Sequence, residues 1–557
     1  VKLPAATLIT LTDDIYCIGP RRLSAQLKRN GFPVNLVFLQ PKNLWGQVRQ
    51  RFSAEFDGSA ITDDTYRQLV ELCRDSAVVG LSVWTHQVEQ AELITRRLRQ
   101  ELETMIVWGG IHPTSFPEPC LRHADAICLG DGDVSFLRLM QALAAGSDWR
   151  ATRGFWFRHG ESILRNPVEP LVQDLDCLPF MDFEFEEHYV NDAGHLRRMD
   201  LALMKKYYGG KLWTMFSQGC PSRCTFCSND VLLNLDGGYR RFRRHTVDFF
   251  MAELRYILSR YPFLYNVIID DDAYMFLPLE VIREFAQKYR ENFEIPFFIS
   301  GIIPASVSEE KFRILIEAGM IKARIGIQSG NPRIMKEVFR RPLHDKKIVT
   351  ASEVAWKYRK RLAPVQYDLI VDNPWESPEE LKDTLRLLHT LRPPYNFAIN
   401  ALTLLPGTEI HRMAEKTGIA RNETRITLSS YVQYRPTLLN LTLAFYSITR
   451  VPDFWIRYLL GKDFGTRTLD MKQYPIFGRI INVLGVAKKI VHGLARRDIS
   501  AIPRPLDRSL GAWLIRRRFK TETDLDSTAY PYRHALAIPE RLAPQKTSLL
   551  GSRSLQG

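Results

Sequence analysis

Ser217-Gln218-Gly219-Cys220-Pro221-Ser222-Arg223-Cys224-Thr225-Phe226-Cys227-Ser228 decides how this chain is read. It directly follows an apolar run, Leu212–Phe216, that reads as a strand, and it spaces three cysteines as C-x3-C-x2-C. Three thiolates in one tight loop can hold irons of an iron–sulfur cluster. A closed [4Fe–4S] site needs four ligands, so three leave one iron open. An open position marks a reactive metal site rather than a structural one. Structural zinc is the plain alternative. It would want a fourth Cys or His at regular spacing, and the nearest candidate, His245, lies eighteen residues on.

The chain around the loop alternates strand and helix patterns. Strands are predicted at Leu212–Phe216, Asn266–Asp270, Phe297–Ser300, Ala323–Ile327, Tyr367–Val371 and Ala398–Leu402, with helix patterns such as Val247–Ser259, Glu309–Ala318 and Pro378–Leu391 between them. Six β/α units in about 200 residues predict a partial or complete β/α barrel, with its site at the carboxyl ends of the strands. The cysteine loop sits at the end of the first.

An earlier alternating series fills the first 145 residues. Its short apolar runs are Ala6–Leu11, Val34–Leu39, Val78–Val83, Met105–Trp108 and Ala126–Leu129, and helices are predicted at Arg21–Arg29, Gln87–Leu102 and Val134–Ala144. Short buried strands between amphipathic helices indicate a parallel sheet covered on both faces. Ligands on such sheets bind beyond the carboxyl ends. The loops there begin at Thr12-Asp13-Asp14, Ser82, Gly109-Gly110-Ile111-His112 and Gly130-Asp131-Gly132. Val1–Leu11 is expected to be a first strand rather than a signal peptide, since a charged n-region and a small-residue cleavage site are missing. Residues 146–205 read as a connector, with a small hairpin turning at His159-Gly160.

The three-cysteine loop after the first strand of a β/α barrel, with an aromatic before the third Cys, resembles the radical S-adenosylmethionine (SAM) superfamily. Three other stretches agree: Gly326-Ile327-Gln328-Ser329-Gly330, Asp270-Asp271-Asp272 and Pro406-Gly407-Thr408. The resemblance covers residues 205–420. It implies that Cys220, Cys224 and Cys227 bind a [4Fe–4S] cluster whose open iron chelates the amino and carboxylate groups of SAM. Phe226 would lie near the adenine, Asp271 near the amino group, and Ser329 and Gly330 along the methionine or ribose. Gln328 is expected beside SAM as well, although it stands where relatives usually have Glu. A parallel α/β domain before such a barrel resembles the class B members, which carry cobalamin there. That implies corrin contacts from Thr12, Asp13, Ser82, Gly109, Gly110, His112, Gly130 and Gly132, the glycines letting backbone approach the ring because they lack a Cβ. The D-x-H-x-x-G motif that supplies a histidine to cobalt elsewhere is absent, so cobalamin is expected without a ligand from that loop. His112 is either a ligand or, more plainly, a loop imidazole capping backbone groups.

The expected fold class is therefore α/β: an N-terminal Rossmann-like cobalamin-binding domain (1–145), a connector (146–205), a radical SAM (β/α)6 partial barrel (206–420) and a basic, mostly helical C-terminal region (421–557).

Composition sets limits. The 557 residues carry a net charge of +14, with 45% hydrophobic and 25% charged residues, which excludes a disordered polyelectrolyte. No run of 18 or more apolar residues occurs, so a spanning helix is not expected. Residues 451–557 alone carry 19 Lys+Arg against 9 Asp+Glu, leaving the first 450 nearly neutral. The apolar positions Ile476, Ile480, Leu484, Ala487, Val491 and Leu494, among basic residues, form an amphipathic pattern suited to an anionic membrane surface. The plain alternative is a helical cap on the barrel. The five cysteines outside the loop (Cys17, Cys73, Cys120, Cys128 and Cys177) are scattered, which fits a reducing cytoplasm and small buried side chains. They do not form the second cluster of the tRNA methylthiotransferases, and no RNA-binding signature is present, so no nucleic-acid partner is expected.

The resemblance implies a cobalamin-dependent methyltransferase acting on an unactivated carbon of a small-molecule or lipid-like metabolite. It would be cytoplasmic, with peripheral contact at the inner face of the membrane as a further option, and served by an electron donor such as flavodoxin or ferredoxin. A 5′-deoxyadenosyl radical would take a hydrogen from the substrate, which would then take a methyl group from methylcobalamin. Two alternatives stand beside it: an oxidative cyclase or rearrangement enzyme of the anaerobic magnesium-protoporphyrin ester cyclase type, and a non-catalytic corrinoid-binding protein.

Overall fold

The computed structural model describes residues 3–12, 15–39, 61–341, 345–419, 434–463 and 474–481, with 483, 484 and 487. The first sheet has nine strands: β1 (Ala5–Thr10), β2 (Val34–Phe38), β3 (Ser76–Ser82), β4 (Met105–Gly109), β5 (Ala126–Cys128), β6 (Phe155–His159), β7 (Ser162–Arg165), β8 (His188–Asp192) and β9 (His195–Arg198). Their order is β7-β6-β5-β4-β3-β1-β2-β8-β9. β1 to β5 are parallel. The order reverses between β1 and β3, with β2 on one side and β3 to β5 on the other. That switch point opens a crevice beyond the strand ends, where doubly wound sheets bind their ligands.

Alternate residues of each strand serve two cores. Ala6 and Leu8 of β1 pack into one, and Ile9 and Leu11 into another beneath the helices Asp63–Cys73 and Val88–Glu101. Residues 146–205, expected as a connector, build both edges of this sheet. β6 and β7 form the predicted hairpin and extend β5 antiparallel. β8 and β9 form a second hairpin, with β8 parallel to β2. The sequence pattern hid that pair because β9, His-Leu-Arg-Arg, is mostly exposed and carries little apolar signal.

The second sheet begins with β10 (Lys211–Thr214). A short antiparallel ribbon, β11 (Ser217–Gln218) and β12 (Arg243–Arg244), follows. The sheet continues with β13 (Asn266–Ile269), β14 (Phe297–Ile302), β15 (Met320–Gln328), β16 (Val365–Val371) and β17 (Tyr395–Ala401), six parallel strands in sequential order. β10 and β17 do not pair, so the barrel is partial. One strand face feeds the main core: Ala323, Ile325 and Ile327 of β15, Tyr367 and Leu369 of β16, Tyr395 and Phe397 of β17. The opposite face lines the lumen.

The helices Leu438–Tyr446 and Asp453–Gly461 cover the end of this sheet, placing Leu439, Leu443, Tyr446, Ile456 and Leu459 in the main core. Buried Lys382 donates to the carbonyls of Leu460 and Lys462, tying down the second helix's end. The stretch from Ile476 to Leu494, expected as an amphipathic helix on a membrane surface or as a cap on the barrel, lies only partly within the described residues, and there Ile476, Ile480 and Leu484 are exposed. The basic residues beyond 487 lie outside the described residues. Among those described, no helix is long and apolar enough to cross a membrane.

Candidate cofactor site between two sets of strand ends

The cysteine loop leaves β10 and is braced by two neighbouring carboxylates from the end of β13. Asp271 accepts from the Phe216 amide (2.7 Å), the Ser217 amide (2.9 Å) and the Ser217 hydroxyl (2.5 Å). Asp272 accepts from the Gly219 amide and the Asn229 side chain, both at 2.9 Å. Asp271 is buried, and burial pushes its acid up to about 7 against the pull of these hydrogen bonds. Both of its oxygens are engaged by the loop it braces. Gly219 has φ +101°, and a Cβ there would lie 2.3 Å from the Arg241 carbonyl, so the turn into Cys220 admits only glycine.

The far side of the loop rests on the segment after β15. The Thr225 amide donates to Phe339 O (3.1 Å), its hydroxyl to Val338 O (2.6 Å), and the Phe226 ring meets Phe339 at 5.0 Å. Cys227 then caps the helix Ser228–Leu235. Cys224 is buried, while Cys220 and Cys227 are half-buried. Burial raises all three thiols, Cys227 to about 12, with Cys224 also feeling Cys220, and Cys227 feeling both of the others. Among the described residues no three His, Cys, Asp or Glu side chains converge to hold a single ion. A cubane gives each thiolate its own iron and needs no such convergence, so this donor set fits a cluster better than zinc. His245 is no zinc ligand in this fold: its two ring nitrogens face Asp176 (2.9 Å) and Arg22 (3.2 Å).

The strand-end stretch of β15 is largely engaged by protein. The Ser329 hydroxyl donates to Glu376 (3.1 Å) and accepts from the Asn331 amide (3.1 Å). Gly330 donates to the Thr384 hydroxyl at 2.8 Å, and a Cβ on it would lie 2.7 Å from the Thr384 Cα. These two residues therefore seat the helix Pro378–Thr390. Gln328 has φ +74° and folds its amide over Gly326, 2.6 Å from where a Cβ would sit. The guanidinium of Arg341, which the sequence did not single out, lies 3.3 Å from the same point and donates to the Gly326 carbonyl at 3.0 Å.

At the first sheet's strand ends, Asp13 lies outside the described residues. Thr12 bonds to the Thr10 hydroxyl at 2.9 Å. His112 is buried, its Nδ1 3.2 Å from the Thr85 hydroxyl, and burial lowers its pKa to about 4, leaving a neutral imidazole. Gly109 and Gly132 meet Cys128 at ordinary contact distances. Gly110 (φ +98°) presses against Val83 and Ser82, and a Cβ on Gly130 (φ +66°) would lie 2.7 Å from the Tyr239 hydroxyl. At Gly110 and Gly130 protein neighbours by themselves already require glycine. Trp84 and Phe116, at the ends of β3 and β4, remain 46% and 41% exposed.

The two sets of strand ends face each other. The Tyr239 hydroxyl donates to Asp131 Oδ1 and accepts from the Asp131 amide, both at 3.1 Å, while buried Arg243 pairs with Oδ2 at 3.1 Å. A Cβ on Gly407 (φ +78°), just after β17, would lie 2.6 Å from the Ser115 carbonyl. Tyr16, beyond β1, stacks on Trp213 of β10 at 5.3 Å. Loop residues that looked independent in sequence are thus brought to one interface.

Comparison with known proteins matches this arrangement twice. Residues 214–388 match the Radical SAM superfamily and residues 5–140 the B12 binding domain. The uncharacterized methyltransferase PH0819 of Pyrococcus horikoshii is 24% identical over 394 residues, covering 69% of this chain and 78% of that protein. Cytidylyl-2-hydroxyethylphosphonate methyltransferase of Streptomyces wedmorensis is 24% identical over 375 residues, covering 61% and 67%. In fold, the chain is similar to the radical S-adenosylmethionine methyltransferase TsrM of Kitasatospora setae, with a TM-score of 0.58 at 16% identity over 74% of this chain and 76% of that one.

Proposed function

Because the chain belongs to the cobalamin-binding radical S-adenosylmethionine enzymes, we propose that it transfers a methyl group to a carbon of a small polar metabolite. The observation that carries this reading is the juxtaposition of the cysteine loop with the first sheet's strand ends. When bound, the cluster with SAM would supply a 5′-deoxyadenosyl radical, and cobalamin a methyl group. The protein's part is placement and exclusion of water. Cys220, Cys224 and Cys227 would hold the cluster, with Asp271 and Asp272 fixing their loop. Phe226 would border the adenine, and the backbone of 328–330 the rest of SAM. The loops around Ser82, Gly110 and Gly130, with Trp84 and Phe116, would border the corrin. The His112 imidazole, its Nδ1 beside Thr85, would stay neutral. An electron donor of the flavodoxin or ferredoxin kind would supply reducing equivalents.

The lumen supports a polar substrate over a lipid-like one. Lys322, Arg324, Gln366, Asp368, Asn396 and Asn400 lie on the strand faces opposite the core, and Arg324 holds Asp368 through its Nε at 2.7 and 2.9 Å. A second surface supports contact with an anionic membrane: Ile476, Phe477, Ile480, Val483 and Leu484 are exposed beside Arg479. The test of the reaction needs no substrate. Anaerobically reconstituted protein, given cobalamin, SAM and a strong reductant, should form S-adenosylhomocysteine as well as 5′-deoxyadenosine. Deoxyadenosine alone would point to cyclisation or rearrangement, and neither product to a corrinoid-binding protein. The Cys220→Ala, Cys224→Ala, Cys227→Ala protein should form no deoxyadenosine.

A further inference from the structure

Arg341 is held where it is by several contacts. Residues Ile334–Val338 wind as a wide turn that closes with the Phe339 amide on Ile334 O, and Arg340 follows in a left-handed conformation (φ +48°). The Arg341 amide donates to Met335 O at 2.8 Å. The same segment carries the Phe339 and Val338 carbonyls that anchor Thr225, between Cys224 and Cys227. The cation is thus fixed to the cysteine loop by the backbone of its own segment.

Its guanidinium lies between the Gly326 carbonyl and the Cys224 thiol. It donates to the carbonyl at 3.0 Å and reaches the Cys224 side chain from the other side. Its Nε is buried and has no hydrogen-bond partner among the described residues. The side chain across Gly326 is the neutral amide of Gln328. The nearby carboxylate Asp368 is taken by Arg324. No carboxylate hydrogen-bonds to Arg341 among the described residues.

We propose that Arg341 is a positioning residue that raises the reduction potential of the cluster held by the three cysteines, and that a neutral residue at position 328 preserves this effect. The inference rests on the family reading above. Three thiolates give a [4Fe–4S] cluster a net negative charge that grows when an electron is added. A fixed cation, and hydrogen bonds to the sulfurs, favour the reduced form. Arginine suits the place because its charge does not titrate and its fork can reach the carbonyl and a sulfur together.

The test is a redox titration of reconstituted protein, without SAM, followed by the electron paramagnetic resonance of the reduced cluster. Arg341→Gln should keep the iron and sulfide content of the parent but shift the midpoint to lower potential. Arg341→Lys should fall between the two. Gln328→Glu, which places a carboxylate beside the cation, should shift it in the same direction as Arg341→Gln. Equal midpoints in the parent and Arg341→Gln would overturn the proposal. So would a difference seen only with SAM bound, which would place the charge on the SAM carboxylate. Loss of the cluster from both Arg341 variants would also overturn it, by making the residue a structural part of the loop. Failure of the parent itself to assemble a four-iron cluster would instead sink the family-based reading.

Discussion

Asp271 shows how one buried carboxylate can set the geometry of a loop. Removing it in Asp271→Ala leaves two buried amides and a hydroxyl without their acceptor. Unmet buried donors cost about 1–3 kcal/mol each. The variant should lose at least about 3 kcal/mol of stability and take up less iron on reconstitution. Parent-like iron content and an unchanged unfolding midpoint would refute the bracing role. Glu376 makes a complementary case. Burial pushes it up to about 8, against a hydrogen bond from Ser329, and its Oε2 has no partner among the described residues. Between its ordinary value near 4.5 and about 8 the fold keeps a proton that the unfolded chain has released, so stability falls as pH rises across that window. Glu376→Gln should remove this slope, gaining on the parent by a few kcal/mol by the upper end of the window. Denaturant unfolding at several pH values measures it, and parallel curves would contradict it.

Among the elements, the tightest constraints lie where the two domains touch. Tyr239→Phe deletes both hydrogen bonds to Asp131 and should cost about 1–2 kcal/mol, with faster amide exchange in the loop from Gly130 to Asp133. Gly407→Ala would drive a Cβ into the Ser115 carbonyl at a left-handed position. It should loosen the same interface while leaving the first sheet's core amides protected. Exchange unchanged at both places would mean that the contacts do not hold the domains together. Elements were well legible in the sequence where periodicity was strong. All six barrel strands lie where their apolar runs predicted them, because each buries one face under a helix. The ends of those strands were less legible. Ser329 and Gly330 read as ligand contacts by resemblance, and their part in seating a helix had no sign in the pattern. Arg341 gave no signal, since a lone arginine in a basic stretch looks like a solvated charge until the wide turn before it is folded.

For the molecule as a whole, the order of domains was legible because two alternating β/α series are separated by a stretch without that rhythm. What that stretch does was not, since its strands are short and exposed on one side. The charge distribution was legible, and its meaning is open to a direct trial. Co-sedimentation with vesicles rich in anionic lipid should capture the protein at low salt and release it at high salt, and Ile476→Asp with Phe477→Asp should abolish capture. No binding at low salt would remove the membrane contact and leave the exposed residues to be covered by the rest of the chain.

The two hairpins at the edges of the first sheet bear on how the protein is made. While residues 1–145 leave the ribosome, β2 and β5 are outer strands with unpaired backbone, a template for wrong partners. Their covers, β8–β9 and β6–β7, arrive only with residues 155–198, a few seconds later at roughly 5–20 residues per second. The first domain therefore cannot finish folding within its own stretch of message. It waits for the segment that also leads into the second, so the nascent sheet is completed just before the barrel begins to form.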